Sequence, residues 1–128
     1  MPKLPRQPEL QNPTAVRRAW ADEHTAAIQA RADGDPLREL HHLERAHILS
    51  QPLALLHIRT HVAMLSFGIR HRDRRQITGQ LVRLLVAGPG SAMRRYPLGN
   101  TGGADVSAIE PMDIPTDLQV LLAPVGAS

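Results

Sequence analysis

The segment LRELHHLERAHIL, residues 37–49, decides the fold because its apolar residues recur with the spacing of an amphipathic helix. At about 100° per residue, four apolar side chains share one arc of this helix: Leu37, Leu40, Leu43 and Ile48. Four polar residues are expected on the opposite, solvent-facing side: Arg38, Glu39, His42 and Arg45. Glu44 and His47 fall inside the apolar arc, three residues apart and therefore adjacent. This helix thus places a carboxylate and an imidazole where a buried face is expected.

The sequence around this segment predicts three more helices. Each begins after an Asn or an Asp, or at a proline, which are residues that favour helix N-termini. The predicted helices cover 13–32, 36–49, 52–71 and 74–87, with N-caps at Asn12, Asp35 and Asp73, a C-terminal cap at Gly34 and a stop at the GPG of 88–90. Connections this short favour antiparallel neighbours. The chain is therefore predicted to be all-α, with residues 13–87 forming an antiparallel four-helix bundle.

The two ends of the chain differ from this central part. Residues 1–12 are interrupted by proline and predict an extended arm, whereas residues 88–128 are rich in glycine, proline and small polar residues and predict a loop-rich wrap. A short helix over 116–123, capped by Thr116, is expected to close the chain. The GNTGG of 99–103 predicts a tight turn with side-chain hydrogen bonds to the backbone, which could also cover the open end of the bundle and bring Asn100 or Ser107 near it.

Composition and charge exclude several classes of function. The chain has 128 residues, 42% of them hydrophobic, which suits a single domain with one core. It has no cysteine, so disulfides, thiolate metal sites and a cysteine nucleophile are excluded. A net charge of +3, and a basic RHRDRR segment at 70–75 without stacking aromatics, do not predict nucleic-acid binding. An N-terminus with proline in place of an apolar core, and no apolar run of about 18 residues, predict a soluble, cytoplasmic protein without a membrane segment.

Three of the predicted helices carry ionisable side chains on the faces that they should bury. These residues are Glu23, Glu44, His47, His57 and His61. An unpartnered buried carboxylate is costly or stays protonated, whereas a divalent cation between two carboxylates and three imidazoles would partner all of them. Glu-x-x-His and His-x₃-His are spacings with which helical bundles build metal sites. The sequence therefore predicts that these five residues hold one or two transition-metal ions.

The residue types leave several alternatives open. Imidazoles with carboxylates suit zinc, iron, manganese, copper or nickel, and the same ligands could serve metal handling or, with an activated water and a small-molecule substrate, hydrolysis. Whether the chain is an enzyme is undecided, and a homo-oligomer is possible. The alternative without metal is a helical interaction protein whose inward polar residues form a buried network, with a glutamate paired to Arg83 or to a neighbouring histidine.

Five sequence blocks together resemble a family of short bacterial proteins known only as a domain of unknown function. The blocks are HLERAHIL, HIRTHVAML, GQLVRLL, PLGNTGGADVSA and PMDIP, and the resemblance covers about 19–122. The typical pattern of that family is matched by Trp20 with Glu23, by Leu43 to His47, by His57, His61 and Met64, and by the GNTGG loop. The chain departs from it at Ser50, where glycine is usual, and at Asp113, where proline is frequent. The resemblance supports the choice of residues and implies no activity.

Overall fold

The computed structural model describes residues 4–103 and 111–127, without the side chains of 85–92. This part of the chain contains five helices and no strand: α1 Pro13–Ala32, α2 Pro36–Ser50, α3 Ala54–Arg70, α4 Arg74–Ala92 and α5 Thr116–Leu121. The four long helices are the ones that the sequence predicts, and their packing is that of a bundle. The all-α prediction is therefore confirmed.

Local capping explains where the helices begin. The side chain of Asn12 accepts a hydrogen bond from the backbone N–H of Ala15 (3.0 Å), and Asp35 does the same for Arg38 (3.0 Å). Asp73 accepts from the N–H of Gln76 at the start of α4 (3.1 Å). Gly34 follows the end of α1 with a φ of +69°, a conformation that favours glycine. The predicted caps at Asn12, Gly34, Asp35 and Asp73 are confirmed.

Three predicted boundaries are wrong. α3 begins at Ala54, because Pro52 lies in the turn in which the N–H of Leu53 donates to the carbonyl of Ser50 (2.8 Å). α4 continues through 88–90 to Ala92; proline has a helical φ and removes one hydrogen bond, so a single proline does not have to end a helix. α5 ends at Leu121, and its N-cap is Pro115 instead of Thr116.

The helices pack as two antiparallel pairs, α1 with α2 and α3 with α4, and the pairs meet through α2 and α3. One apolar cluster joins α1, α2, α3 and α5: Val16, Trp20, Ala46, Ile48, Leu49, Leu56 and Leu118. A second joins α1, α2 and α3: Ala27, Leu43, Met64 and Phe67. The indole N–H of Trp20 donates to the hydroxyl of Thr60 (2.8 Å), which ties α1 to the middle of α3.

Two residues in the first turn of α2 differ from the prediction in their exposure to solvent. Glu39, expected on the solvent side, is buried (5% exposed), and its carboxylate accepts hydrogen bonds from the guanidinium of Arg70 at the end of α3. Leu37, expected in the apolar arc, is 82% exposed. Helical periodicity cannot account for this difference, because the ion pair depends on where the end of α3 reaches α2.

The N-terminal arm is held by backbone contacts. The N–H of Gln7 donates to the carbonyl of Arg94 (2.6 Å), and the N–H of Gln11 donates to that of Ala123 (2.9 Å). These contacts are isolated bridges and form no sheet among the described residues. The proposed division of the chain into arm, bundle and wrap stays a prediction. Among the described helices, none combines the length and apolar character needed to cross a membrane.

Candidate metal centre

Three buried histidines converge between α2 and α3. His47 lies in the last turn of α2, and His57 and His61 lie one turn apart on α3, so both face the same neighbour. The Nε2 atoms form a nearly equilateral triangle: 3.0 Å from His47 to His57, 3.1 Å from His47 to His61 and 3.1 Å from His57 to His61. The three side chains are 2–5% exposed. This arrangement could hold a metal ion.

The protonation of His47 follows from its outer neighbour. Its Nδ1 lies 2.6 Å from the backbone carbonyl oxygen of Asn100. A carbonyl oxygen can only accept a hydrogen bond, so the proton of the neutral imidazole is on Nδ1. The Nε2 of His47 therefore directs a lone pair into the triangle.

The same reasoning applies to His61, through a glutamine on α4. Its Nδ1 lies 2.5 Å from Oε1 of Gln80, while Nε2 of Gln80 donates to the carbonyl of Gly102 (2.7 Å). Because that carbonyl accepts only, it fixes the orientation of the amide, and the amide oxygen must face His61. His61 thus also carries its proton on Nδ1 and directs a lone pair inward.

Two lone pairs consequently face each other across 3.1 Å. His57 could donate at most one proton into the triangle, and that proton could serve only one of its two neighbours at a time. A cation at the centre would contact all three nitrogens at once. Histidines that bind metals through one ring nitrogen commonly donate the other N–H to a carbonyl or carboxylate, as His47 does here.

Burial keeps the imidazoles of His47 and His61 neutral. The pKa of His47 is lowered well below its usual value, mainly by burial and further by His57, His61 and Arg83. Burial also lowers the pKa of His61 to about 4, with Arg83 acting in the same direction and the hydrogen bond to Gln80 opposing it. At neutral pH these two histidines are therefore in the unprotonated form that binds metals.

The GNTGG loop lies directly over the triad. The side chain of Asn100 accepts from the N–H of Gly102 (2.8 Å), which confirms the predicted tight turn at Asn100. Gly102 has a φ of +78°, and a Cβ at this position would lie 2.5 Å from Cδ2 of His47. Glycine is therefore required both by the backbone conformation and by the contact with the imidazole. Ser107, the other residue considered for this cover, lies outside the described residues.

A second glutamine fastens the loop to α2. The side-chain amide of Gln51 donates to the carbonyl of Pro97 (2.7 Å), and its oxygen accepts from the N–H of Gly99 (3.0 Å). The C-terminal end of α2 thus carries both a histidine of the triad and the anchor of the loop that covers it. Together, Gln51 and Gln80 tie the loop that covers the triad to α2 and to α4.

The structure does not bring the two predicted carboxylates into the triad. Glu23 accepts hydrogen bonds from Nε of Arg45 (2.7 Å) and Nδ1 of His42 (2.7 Å), and so links α1 to the outer side of α2. Glu44 borders a separate surface cavity whose lining includes Gln76 and Gly103. Among the described residues, only the histidines form a group with metal-binding distances. A ligand role for Glu23 and Glu44 stays a prediction.

Gln51 and Gln80 were not predicted from the sequence, whereas Asn100 was expected near the site; α4 nevertheless carries a signal that points to Gln80. Gln76, Gln80 and Arg83 recur on α4 at helical spacing, and all three are buried. Such a polar line on a buried helix face indicates a partner in the core. The contributions of Asn100 and Gly102 are backbone atoms, and side-chain patterns carry no information on where a loop carbonyl lies.

Comparison with known proteins gives a match at the level of the family. The model of a family described as "Protein of unknown function (DUF3703)" matches residues 14–122. No curated protein matches the chain, and no solved structure matches it either. The geometry of the triad is therefore the basis for an inference about function.

Proposed function

Because the chain belongs to the DUF3703 family, whose description names no function, we propose from its geometry that it binds one transition-metal ion through Nε2 of His47, His57 and His61. The single observation that supports this proposal is the convergence of three buried ring nitrogens at 3.0–3.1 Å, two of which direct lone pairs at each other. The role that we infer is metal handling, meaning storage, delivery or sensing of the ion.

The dimensions of the triangle suit a first-row transition metal. Three nitrogens separated by 3.0–3.1 Å are close enough for one ion to lie at a metal–nitrogen distance of about 2.0–2.1 Å from each of them. The three histidines would thus cap one face of the ion. The opposite face would remain for water or another ligand.

The type of ligand narrows the choice of metal. Imidazole suits zinc, copper, iron and nickel, whereas manganese, magnesium and calcium prefer oxygen ligands. The described triad supplies three nitrogens and no carboxylate. Of the five metals compatible with the sequence, manganese is therefore expected to bind most weakly.

The metal-free alternative fits the triad less well. Buried polar networks are stabilising when every donor and acceptor is satisfied. With the protons of His47 and His61 on Nδ1, three inward nitrogens share at most the one proton of His57. An ion accepts all three lone pairs, so it resolves the conflict that a hydrogen-bonded network would keep.

Metal-dependent chemistry is the second candidate, because the described group supplies three nitrogen ligands, which would leave a coordination position of the ion open. A water bound there would be acidified by the metal and could act as a nucleophile. Storage or delivery is preferred because the triad is buried and the loop of 97–103 packs over it. A site enclosed in this way suits retention of an ion better than turnover of a bulky substrate.

Calorimetric titration of the metal-stripped chain, made without an affinity tag, tests the proposal. We expect uptake of one Zn²⁺ or Ni²⁺ per chain and much weaker binding of Mn²⁺. Loss of an outer hydrogen-bond partner of a metal ligand typically lowers the affinity by about 10- to 100-fold. The variants His57→Ala and His61→Ala remove a ligand itself, so they should lose more affinity than that. His41→Ala is the matched control, because His41 lies on α2 and is exposed.

Two results would contradict the proposal. The first is a wild-type chain that takes up none of these metals. The second is uptake that survives in both triad variants and is lost in His41→Ala, which would place the binding on the surface.

A further inference from the structure

Gln80 connects a histidine of the triad to the loop that covers it. It is fully buried on α4, and its amide spans two elements: the oxygen accepts the Nδ1 proton of His61, and the nitrogen donates to the carbonyl of Gly102. Each side of the amide has one partner, and exchanging oxygen for nitrogen would set a donor against a donor and an acceptor against an acceptor. The orientation of this side chain is therefore determined by both contacts together.

This double contact links the triad to the loop. His47 donates directly to the carbonyl of Asn100, and His61 reaches the carbonyl of Gly102 through Gln80. The inward lone pairs of His47 and His61 thus depend on acceptors that the loop supplies or orients. A displaced loop would remove the acceptor of His47 and one of the two contacts that orient the amide of Gln80.

We propose that Gln80 is a positioning residue of the metal centre, which keeps His61 in its metal-binding tautomer and couples occupancy of the triad to the seating of loop 97–103. The inference rests on the proposed function, since it names how the same site is regulated. An imidazole bound to metal through Nε2 must keep its proton on Nδ1, where the metal makes it a stronger donor. Metal binding therefore strengthens the hydrogen bonds to Asn100 and Gln80.

Coupling of this kind is reciprocal. If the seated loop raises the affinity for metal by some factor, metal must favour the seated loop by the same factor. The backbone N–H of Gly99, which donates to Gln51, and that of Gly102, which donates to the side chain of Asn100, should then exchange with solvent more slowly in the metal-bound protein. The loop would act as a reporter of metal occupancy on the surface of the bundle.

Three variants separate the two contacts of Gln80. Gln80→Met removes both, Gln80→Glu keeps the acceptor for His61 and removes the donor to Gly102, and Gln51→Met loosens the same loop from α2 without removing the partner of an imidazole. We expect Gln80→Met to weaken Zn²⁺ binding by about 10- to 100-fold. Gln51→Met should lose less, and Gln80→Glu should keep the His61 tautomer while its loop amides exchange faster.

The decisive measurement is the tautomeric state of the histidines, taken from ¹⁵N chemical shifts of the imidazole nitrogens in metal-free protein. Wild type, Gln51→Met and Gln80→Glu should show His61 protonated on Nδ1, and Gln80→Met should show a shift toward Nε2. A purely structural role of Gln80 would not move this signal.

Each outcome has a defined meaning. An unchanged His61 tautomer and unchanged affinity in Gln80→Met would overturn the inference, and so would equal losses of affinity in Gln80→Met and Gln51→Met. If Gln80→Met does not fold, loss of the Nδ1 tautomer in Gln80→Glu overturns it instead. A wild-type chain with the expected tautomers that binds no Zn²⁺ would overturn the proposed function but support the orienting role of Gln80.

Discussion

Two polar clusters lie on opposite sides of α2, and they differ in how their hydrogen-bond donors and acceptors are matched. On the outer side Glu23 accepts from Arg45 and His42, and Arg45 also pairs with Asp117 at the start of α5. On the inner side the Nε2 atoms of three imidazoles face one another with no carboxylate among them. The outer cluster sets donors against acceptors and is complete within the protein. The inner cluster sets acceptor against acceptor, which is the arrangement expected when the partner is a cation.

The difference shows why a buried ionisable residue does not by itself indicate a functional site. Glu23, only 15% exposed in its side chain, fulfils the same sequence criterion as His47, yet its contacts are those of a structural ion pair. The two residues differ in their partners: the carboxylate of Glu23 faces hydrogen-bond donors, whereas Nε2 of His47 faces another acceptor. Substitutions in the inner cluster should therefore abolish metal binding, whereas substitutions in the outer cluster should lower stability and leave metal binding unchanged.

The largest expected effect is stabilisation of the inner cluster by metal. A ligand that binds only the folded state adds about 4 kcal/mol to the free energy of unfolding when its free concentration is about 1,000 times Kd. Urea unfolding, followed by fluorescence of the buried Trp20, should show this increase on addition of Zn²⁺. The increase should vanish in His61→Ala and persist in Glu23→Gln. Equal stabilisation of both variants would mean that the ion binds elsewhere.

Acid should destabilise the metal-free protein through the same cluster. The pKa of His61 is about 4 in the folded chain because of burial, against 6.5 for the free side chain. Between these values the unfolded chain binds more protons, so stability is complete above pH 6.5 and is lost as the pH falls toward 4. The loss from this residue is on the order of 3 kcal/mol. Unfolding midpoints in urea at several pH values, with metal removed, would show it.

The matched comparison for the acid effect is His61→Gln. This variant should have a shallower dependence of stability on pH between 6.5 and 4, because one buried imidazole no longer resists protonation. A slope equal to that of wild type would assign the acid sensitivity to other groups and remove His61 from the explanation.

A substitution in the outer cluster should lower the stability of the chain without changing its affinity for metal. Glu23→Gln removes a charge that accepts from two donors, and loss of hydrogen bonds to a charged group costs about 1–3 kcal/mol. Thermal or urea unfolding should show this decrease. Zn²⁺ affinity should not change, because the carboxylate faces Arg45 and His42. A large fall in affinity would instead support Glu23 as a ligand, as the sequence predicts.

Much of the fold could be predicted from local signals. Asn12, Asp35 and Asp73 cap their helices through side-chain contacts three residues away, and such contacts need no tertiary information. The three histidines could be identified for the same reason, since their spacing places them on the inner faces of two neighbouring helices. Here the sequence and the structure agree because the determining interactions are short in range.

The remaining features depend on interactions that periodicity does not contain. The angular position of a residue on a helix can be calculated from the sequence, but its height in the bundle and its nearest partner cannot. Glu23 lies in the predicted arc and yet pairs with Arg45, and Glu39 is buried because Arg70 reaches it from α3. The carbonyls of Asn100 and Gly102 reach the triad only through the tertiary path of the loop.

The smallest expected effect is at the outer edge of the outer cluster. Asp117 is exposed, and the hydrogen bond from Arg45 lowers the pKa of its carboxyl group. Surface ion pairs contribute little and are screened by salt, so Asp117→Asn should cause only a slight decrease in the unfolding temperature, which disappears at high ionic strength. The metal affinity of this variant should equal that of wild type, because Arg45 keeps its contact with Glu23. A decrease that is large or independent of salt would show that the contact between α5 and α2 contributes more to the bundle than its exposure implies, and that the outer cluster is less self-contained than its geometry indicates.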